Sequence, residues 1–113
     1  MQSSENIKNT ITKEVYRTIL ENLLNTKELQ DVTTTEIIER SGLSRATFYK
    51  HFKDKYELAQ WEYDYLMQQL TIETQSTEDS AENIRKIVYF VDSRRHIYKK
   101  ILKYTGQNSF HEN

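Results

Sequence analysis

The 113 residues include no proline, no cysteine and only two glycines. A chain of this length makes one domain, or a small domain with part of a second. Few residues interrupt a helix, and disulfides and thiolate metal sites are excluded. At 29% charged and 36% hydrophobic the chain is polar, yet eight Tyr, four Phe and one Trp argue for a packed core over disorder. Without cysteine, and with a polar stretch from Met1 to Asn9 in place of an apolar signal core, a cytoplasmic location is expected, with no membrane association.

The net charge of −1 hides a segregation into blocks. Arg40, Arg45, Lys50, Lys53 and Lys55 lie close together, with no acid from Arg40 to Lys53. From Tyr56 to Asn83 there are acids and no Lys or Arg, and from Ile84 to Tyr104 the basic residues face Asp92 alone. Alternating blocks suggest separate surfaces, although mutual neutralisation in the fold is the alternative for the last of them.

In chain order, Ile7, Ile11, Val15, Ile19 and Leu23 recur every four residues and are joined by Tyr16, Leu20 and Leu24, which predicts an amphipathic helix over Asn6 to Leu24. Leu29 and Val32 are apolar anchors in the connection that follows. Thr33-Thr34-Thr35-Glu36 reads as a capping box opening a short helix that carries Ile37 and Ile38 and stops at Ser41-Gly42. Ser44 is a second N-cap, for Arg45 to Phe52. Asp54, with Glu57 three residues on, is a third, for a helix running to about Thr71 with Leu58, Trp61, Tyr65, Leu66 and Leu70 available for burial. Thr71 to Ser80 is polar and is the best candidate boundary. A helix from Ala81 to about Val91 follows (Ile84, Ile87, Val88, Val91), and then one from Arg94 to Tyr104 (Ile97, Ile101, Leu102) that Gly106 should stop.

Two short capped helices joined by Ser-Gly-Leu form the arrangement that sets a second helix in a DNA major groove. Phe48 and Phe52, four apart, anchor one face of that helix. Arg45, Thr47, Tyr49, Lys50 and His51 occupy the rest. Ala46 and Thr47 are small enough for close approach to base edges, and Arg45 and Thr47 have donors for bases. Tyr49, Lys50 and His51 suit phosphate oxygens, as does Lys55 at the start of the next helix. Thr33 and Thr34, with Ser44, complete the candidate DNA-binding set at the helix starts. A plain helical hairpin with a solvated basic face is the competing reading. The stacked caps, the acid-free basic run and the aromatic–basic weave of Phe48 to Phe52 weigh against it.

The stretch Thr33 to Ile38, then Ser41-Gly42-Leu43-Ser44-Arg45-Ala46-Thr47-Phe48-Tyr49-Lys50-His51-Phe52-Lys53-Asp54-Lys55-Tyr56-Glu57-Leu58, resembles the signature of the TetR family of transcriptional regulators. Phe48-Tyr49, His51-Phe52, Lys55 and Leu58 are its most diagnostic part. The resemblance implies an all-α fold: a three-helix helix-turn-helix DNA-binding domain (1–53, motif about 34–53), a long linking helix (54–72) and the first helices of a helical regulatory domain (73–113). It implies Tyr49 and Lys55 on phosphates, His51 near the backbone, and Arg45, Ala46 and Thr47 as base readers. The implied partners are double-stranded DNA, a second copy in the full-length protein, and a small-molecule effector. The resemblance is strong over residues 7–70. Ile97 to Leu102, with Gly106, Ser109 and Phe110, is similar to a subgroup related to dihydroxyacetone-kinase regulators. The chain departs from many members by having Glu28 where they have Gly. It is also about half their usual length, so a fragment or a shortened member is expected.

No cofactor, metal or enzyme is indicated. His51, His96 and His111 are scattered, and no nucleophile or phosphate-loop motif is present. The carboxylates from Glu57 to Glu82 read as a solvated face. Trp61, Tyr63 and Tyr65 read as packing between domains, and the late basic block as a solvent face or a partner for the acidic stretch. Two functions remain: a DNA-binding regulator, most often a repressor in such families and reading a palindromic operator as a dimer, or a protein-interaction module of the same fold that does not itself bind DNA.

Overall fold

The computed structural model describes the backbone of residues 4–75 and 81–112, and side chains over 5–72 and 81–104. The described elements are helices throughout: α1 (Ser4–Leu24), a 3-10 turn (Leu29–Asp31), α2 (Thr34–Ser41), α3 (Arg45–His51), α4 (Lys55–Gln75), α5 (Ala81–Ser93) and α6 (Arg95–Glu112). This is the expected all-α architecture, a helix-turn-helix followed by further helices.

The three predicted starts are set by their caps. Thr33 Oγ1 accepts from the Glu36 N–H at 3.1 Å, while Glu36 Oε2 accepts from the Thr33 N–H at 3.0 Å, so two orphan donors are satisfied reciprocally. Ser44 Oγ accepts from the Thr47 N–H at 3.1 Å. Asp54 Oδ1 takes the N–H groups of Tyr56 and Glu57, and the Glu57 carboxylate reaches back to the Lys53 N–H at 3.0 Å. Gly42 ends α2 at φ 71°, ψ 9°. An added Cβ there would meet nothing within 4 Å, so the cost of Gly42→Ala is conformational alone. We expect that substitution to lower stability by about 1–2 kcal/mol in urea titrations.

The core of the first three helices is aromatic. Tyr16 of α1 meets Phe48 edge-on at 5.2 Å and Phe52 at 6.2 Å, and Phe52 reaches Trp61 of α4 at 6.3 Å. Leu20, Leu24, Val32, Ile37 and Leu58 close around them, each fully buried. Leu29 and Val32 anchor the connection as expected.

The apolar stripe of α1 is only partly buried. Leu23 is inside, whereas Ile7 and Ile11 are 48% and 60% exposed. The reason is geometric: a four-residue step advances about 400°, so a strict i+4 row drifts about 40° per step and its ends face opposite ways after four steps.

Three further expectations are corrected. Among the acids of α4, Glu62 is not solvated: its side chain is wholly buried. Arg17 of α1 reaches it at 3.3 Å while also binding Glu14 and Glu21, each at 2.9 Å, and lying over the Tyr65 ring. Gly106 does not stop α6, which runs on to Glu112; one glycine costs a helix only about 1 kcal/mol. Lys100, in the late basic block, is turned inward. Its Nζ donates to the carbonyls of Leu24 (2.6 Å) and Lys27 (2.9 Å) at the end of α1. His96 Nε2 lies 2.7 Å from Asn25 Oδ1, and Tyr104 stacks on Tyr56 at 3.9 Å, so α6 is fastened along the first helical unit. The boundary expected over Thr71–Ser80 falls partly on α4, which continues to Gln75, and otherwise outside the described residues. On α5, Ile84 and Val88 are exposed.

Candidate nucleic-acid interface

α3 is held by its two phenylalanines. Phe48 is fully buried and Phe52 nearly so, so the helix cannot turn without opening the aromatic core. What remains faces outward. Arg45, Ala46, Tyr49 and Lys50 are exposed, Thr47 and His51 half-buried. Tyr49 is 48% exposed although its ring lies edge-on to Phe48 at 5.2 Å, which leaves its hydroxyl end at the surface.

The helix starts are wired together. The hydroxyls of Ser44 and Thr47 are 2.8 Å apart, and Arg45 Nη2 donates to Thr35 Oγ1 of α2 at 3.0 Å. The Arg45 side chain therefore spans from the start of α3 to the first turn of α2, with Thr33 and Thr34 at one end and Ser44 to Thr47 at the other. The hydroxyls of Thr33 and Ser44 serve as caps. Lys50 is 3.7 Å from Glu5, with both groups exposed, and such a pair is worth little in water. Burial, reinforced by the charges of Lys13 and Lys50, holds His51 below its ordinary range, so at neutral pH it is a hydrogen-bonding imidazole rather than a cation.

Lys55 is placed differently from the rest. Its ammonium donates to the carbonyls of Gln30 and Val32, which ties the start of α4 to the 3-10 turn. Thr35 and Lys13 stand beside these residues, and sequence reasoning did not single them out. Thr35 stands next to the residues of a capping box and has no distinguishing pattern. Lys13, over the Trp61 ring at 4.7 Å, is brought to His51 only by the packing of α1 on α3 and α4.

A basic helix pinned by aromatics, presented through a tight glycine turn and flanked by a second helix start, defines a helix-turn-helix DNA-binding unit. Residues 21–60, from the last turn of α1 into α4, match the family model described as bacterial regulatory proteins, tetR family. Residues 21–60 are thus similar to the N-terminal helix-turn-helix domain of that family of DNA-binding regulators. No match was found among curated proteins. Among the described residues no helix is long and apolar enough to cross a membrane, and no cluster of His, Asp and Glu could hold a metal ion.

Proposed function

We propose that this protein is a sequence-specific, ligand-responsive transcriptional regulator that represses by occupying a palindromic operator as a homodimer. The observation that carries this reading is α3 itself, buried through Phe48 and Phe52 and offering Arg45, Ala46, Thr47, Tyr49 and Lys50 outward. Residues 1–53 are the reading head, 54–72 the link, and 73–113 belong to a helical sensor for a small molecule, akin to the dihydroxyacetone-kinase regulator subgroup. Arg45, Ala46 and Thr47 read base edges, while Tyr49, Lys50, His51 and the first turn of α2 at Thr33 and Thr34 hold phosphates. Lys55 braces the turn through two of its three N–H donors, which already have carbonyl partners, and leaves one for a phosphate oxygen.

Fluorescence anisotropy tests the division of labour, using a duplex enriched from a random pool and a scrambled control. Tyr49→Ala should weaken both alike. Arg45→Ala and Thr47→Ala should relax preference at particular base pairs, by about 1–3 kcal/mol for each base interaction removed. Affinity should fall with salt at a log–log slope of about −0.9 per neutralised phosphate. Equal effects of all three substitutions on both duplexes would remove the assignment. Absence of any salt-sensitive retention on DNA would favour the protein-interaction module instead.

A further inference from the structure

Thr35 belongs to neither the capping box nor the basic face, yet it holds one of the proposed base readers. The bond from Arg45 Nη2 to Thr35 Oγ1, 3.0 Å long, joins the first residue of α3 to the second of α2. Both residues are exposed. Resting on the reading that α3 enters the major groove, we propose that Thr35 is a positioning residue for sequence readout: it fixes the Arg45 guanidinium over the groove face without contacting a base.

The chemistry favours this role over a structural one. A hydrogen bond between two exposed side chains competes with water and adds little to folding, so its effect lies in geometry. A guanidinium has five N–H donors in a rigid fork. Using one for Thr35 leaves enough for a two-point contact with a guanine edge, the pairing that discriminates bases best. A long exposed arginine must also give up rotamer freedom when it docks, and a tether made in the free protein takes part of that loss in advance. The neighbours are committed otherwise: the Thr33 hydroxyl caps α2, and Thr47 is tied to Ser44 within α3. Arg45 is the reader whose orientation depends on the other helix of the motif.

The test uses the full chain, a duplex enriched from a random pool, and single-base-pair variants of that duplex. Wild type, Thr35→Val, Thr35→Ser, Arg45→Ala and the Thr35→Val/Arg45→Ala double variant are compared by anisotropy, with a thermal melt for each. We expect Thr35→Val to lose about threefold to tenfold of discrimination at a base pair where Arg45→Ala also loses it. Affinity for scrambled DNA, salt slope and melting temperature should stay at wild-type values. Thr35→Ser should restore discrimination, and the double variant should match Arg45→Ala. If Thr35→Val reads bases like wild type while Arg45→Ala does not, the positioning role is overturned and the groove reading stands. A gain in discrimination by Thr35→Val overturns it too, since the threonine would then be withdrawing the arginine. If Arg45→Ala weakens every duplex equally, or no sequence is enriched, Arg45 is not a base reader and the underlying reading falls with the inference.

Discussion

Phe48→Ala should lower the unfolding free energy by about 3–5 kcal/mol, the largest single effect expected in this chain. Domains of this kind have only about 5–15 kcal/mol in total. The ring is fully buried and touches Tyr16 at 5.2 Å and Phe52 at 5.9 Å, so truncation leaves a void bordered by rigid aromatics that collapse poorly. Urea denaturation followed by circular dichroism measures the loss. The control is the next residue: Tyr49→Ala, at a surface position, should stay within about 0.5 kcal/mol of wild type while losing DNA affinity. A small stability effect at Phe48 would mean that α3 is not held by its aromatic face, and the outward presentation of its basic residues would lose its cause.

The second large effect concerns Glu62. Burial, and then the neighbouring Glu21 carboxyl, push its pKa up to about 8 against the pull of Arg17. Its Oε2 is buried without a hydrogen-bond partner. In the unfolded chain the same carboxyl titrates at its ordinary value, 4.5. Between those two values the folded state holds a proton that the unfolded state has released, so stability falls as pH rises. Glu62 therefore contributes its full share below pH 4.5 and loses it progressively as pH approaches about 8. Glu36 runs the other way. Its carboxyl is lowered by Lys27 and by the Thr33 N–H, so its contribution is present above the ordinary range and lost on acidification. Glu62→Gln should flatten the decline toward alkaline pH and leave the acid limb alone. Arg17→Met removes the cation that faces Glu62 and should cost about 3 kcal/mol at pH 8 and less at pH 5, because a protonated carboxyl tolerates the loss better. Chemical denaturation across pH 4–9 distinguishes these outcomes, and a pH-independent difference between wild type and Glu62→Gln would remove the buried-proton account.

The features legible in the sequence were those enforced locally. Caps are written in a few adjacent residues, so Thr33, Ser44, Asp54 and the stop at Gly42 placed α2, α3 and the start of α4 correctly. Phe48 and Phe52, one helical turn apart, identified the buried face of α3. What escaped was set by tertiary approach. A carboxylate in an acidic run gives no sign of whether another helix will cover it, and Glu62 is covered because Arg17 stands opposite on α1. The four-residue spacing in α1 read as one face, but drift around the helix carries Ile7 and Ile11 away from Leu23. Lys55 and Lys100 looked like surface cations, and each instead found backbone carbonyls brought near by distant segments. Thr35 has meaning only once the Arg45 side chain reaches it from α3.

The ammonium of Lys100 makes α6 a mooring for the first helical unit. The two oxygens it grips belong to Leu24 and Lys27, where α1 gives way to the segment leading into α2. Any shift of α6 must either tow that junction along or strand both oxygens without their donor, at about 1–3 kcal/mol for each one left out of reach of water. The far end of the chain thus carries a tether on the near end, and slack in one is felt as tension in the other.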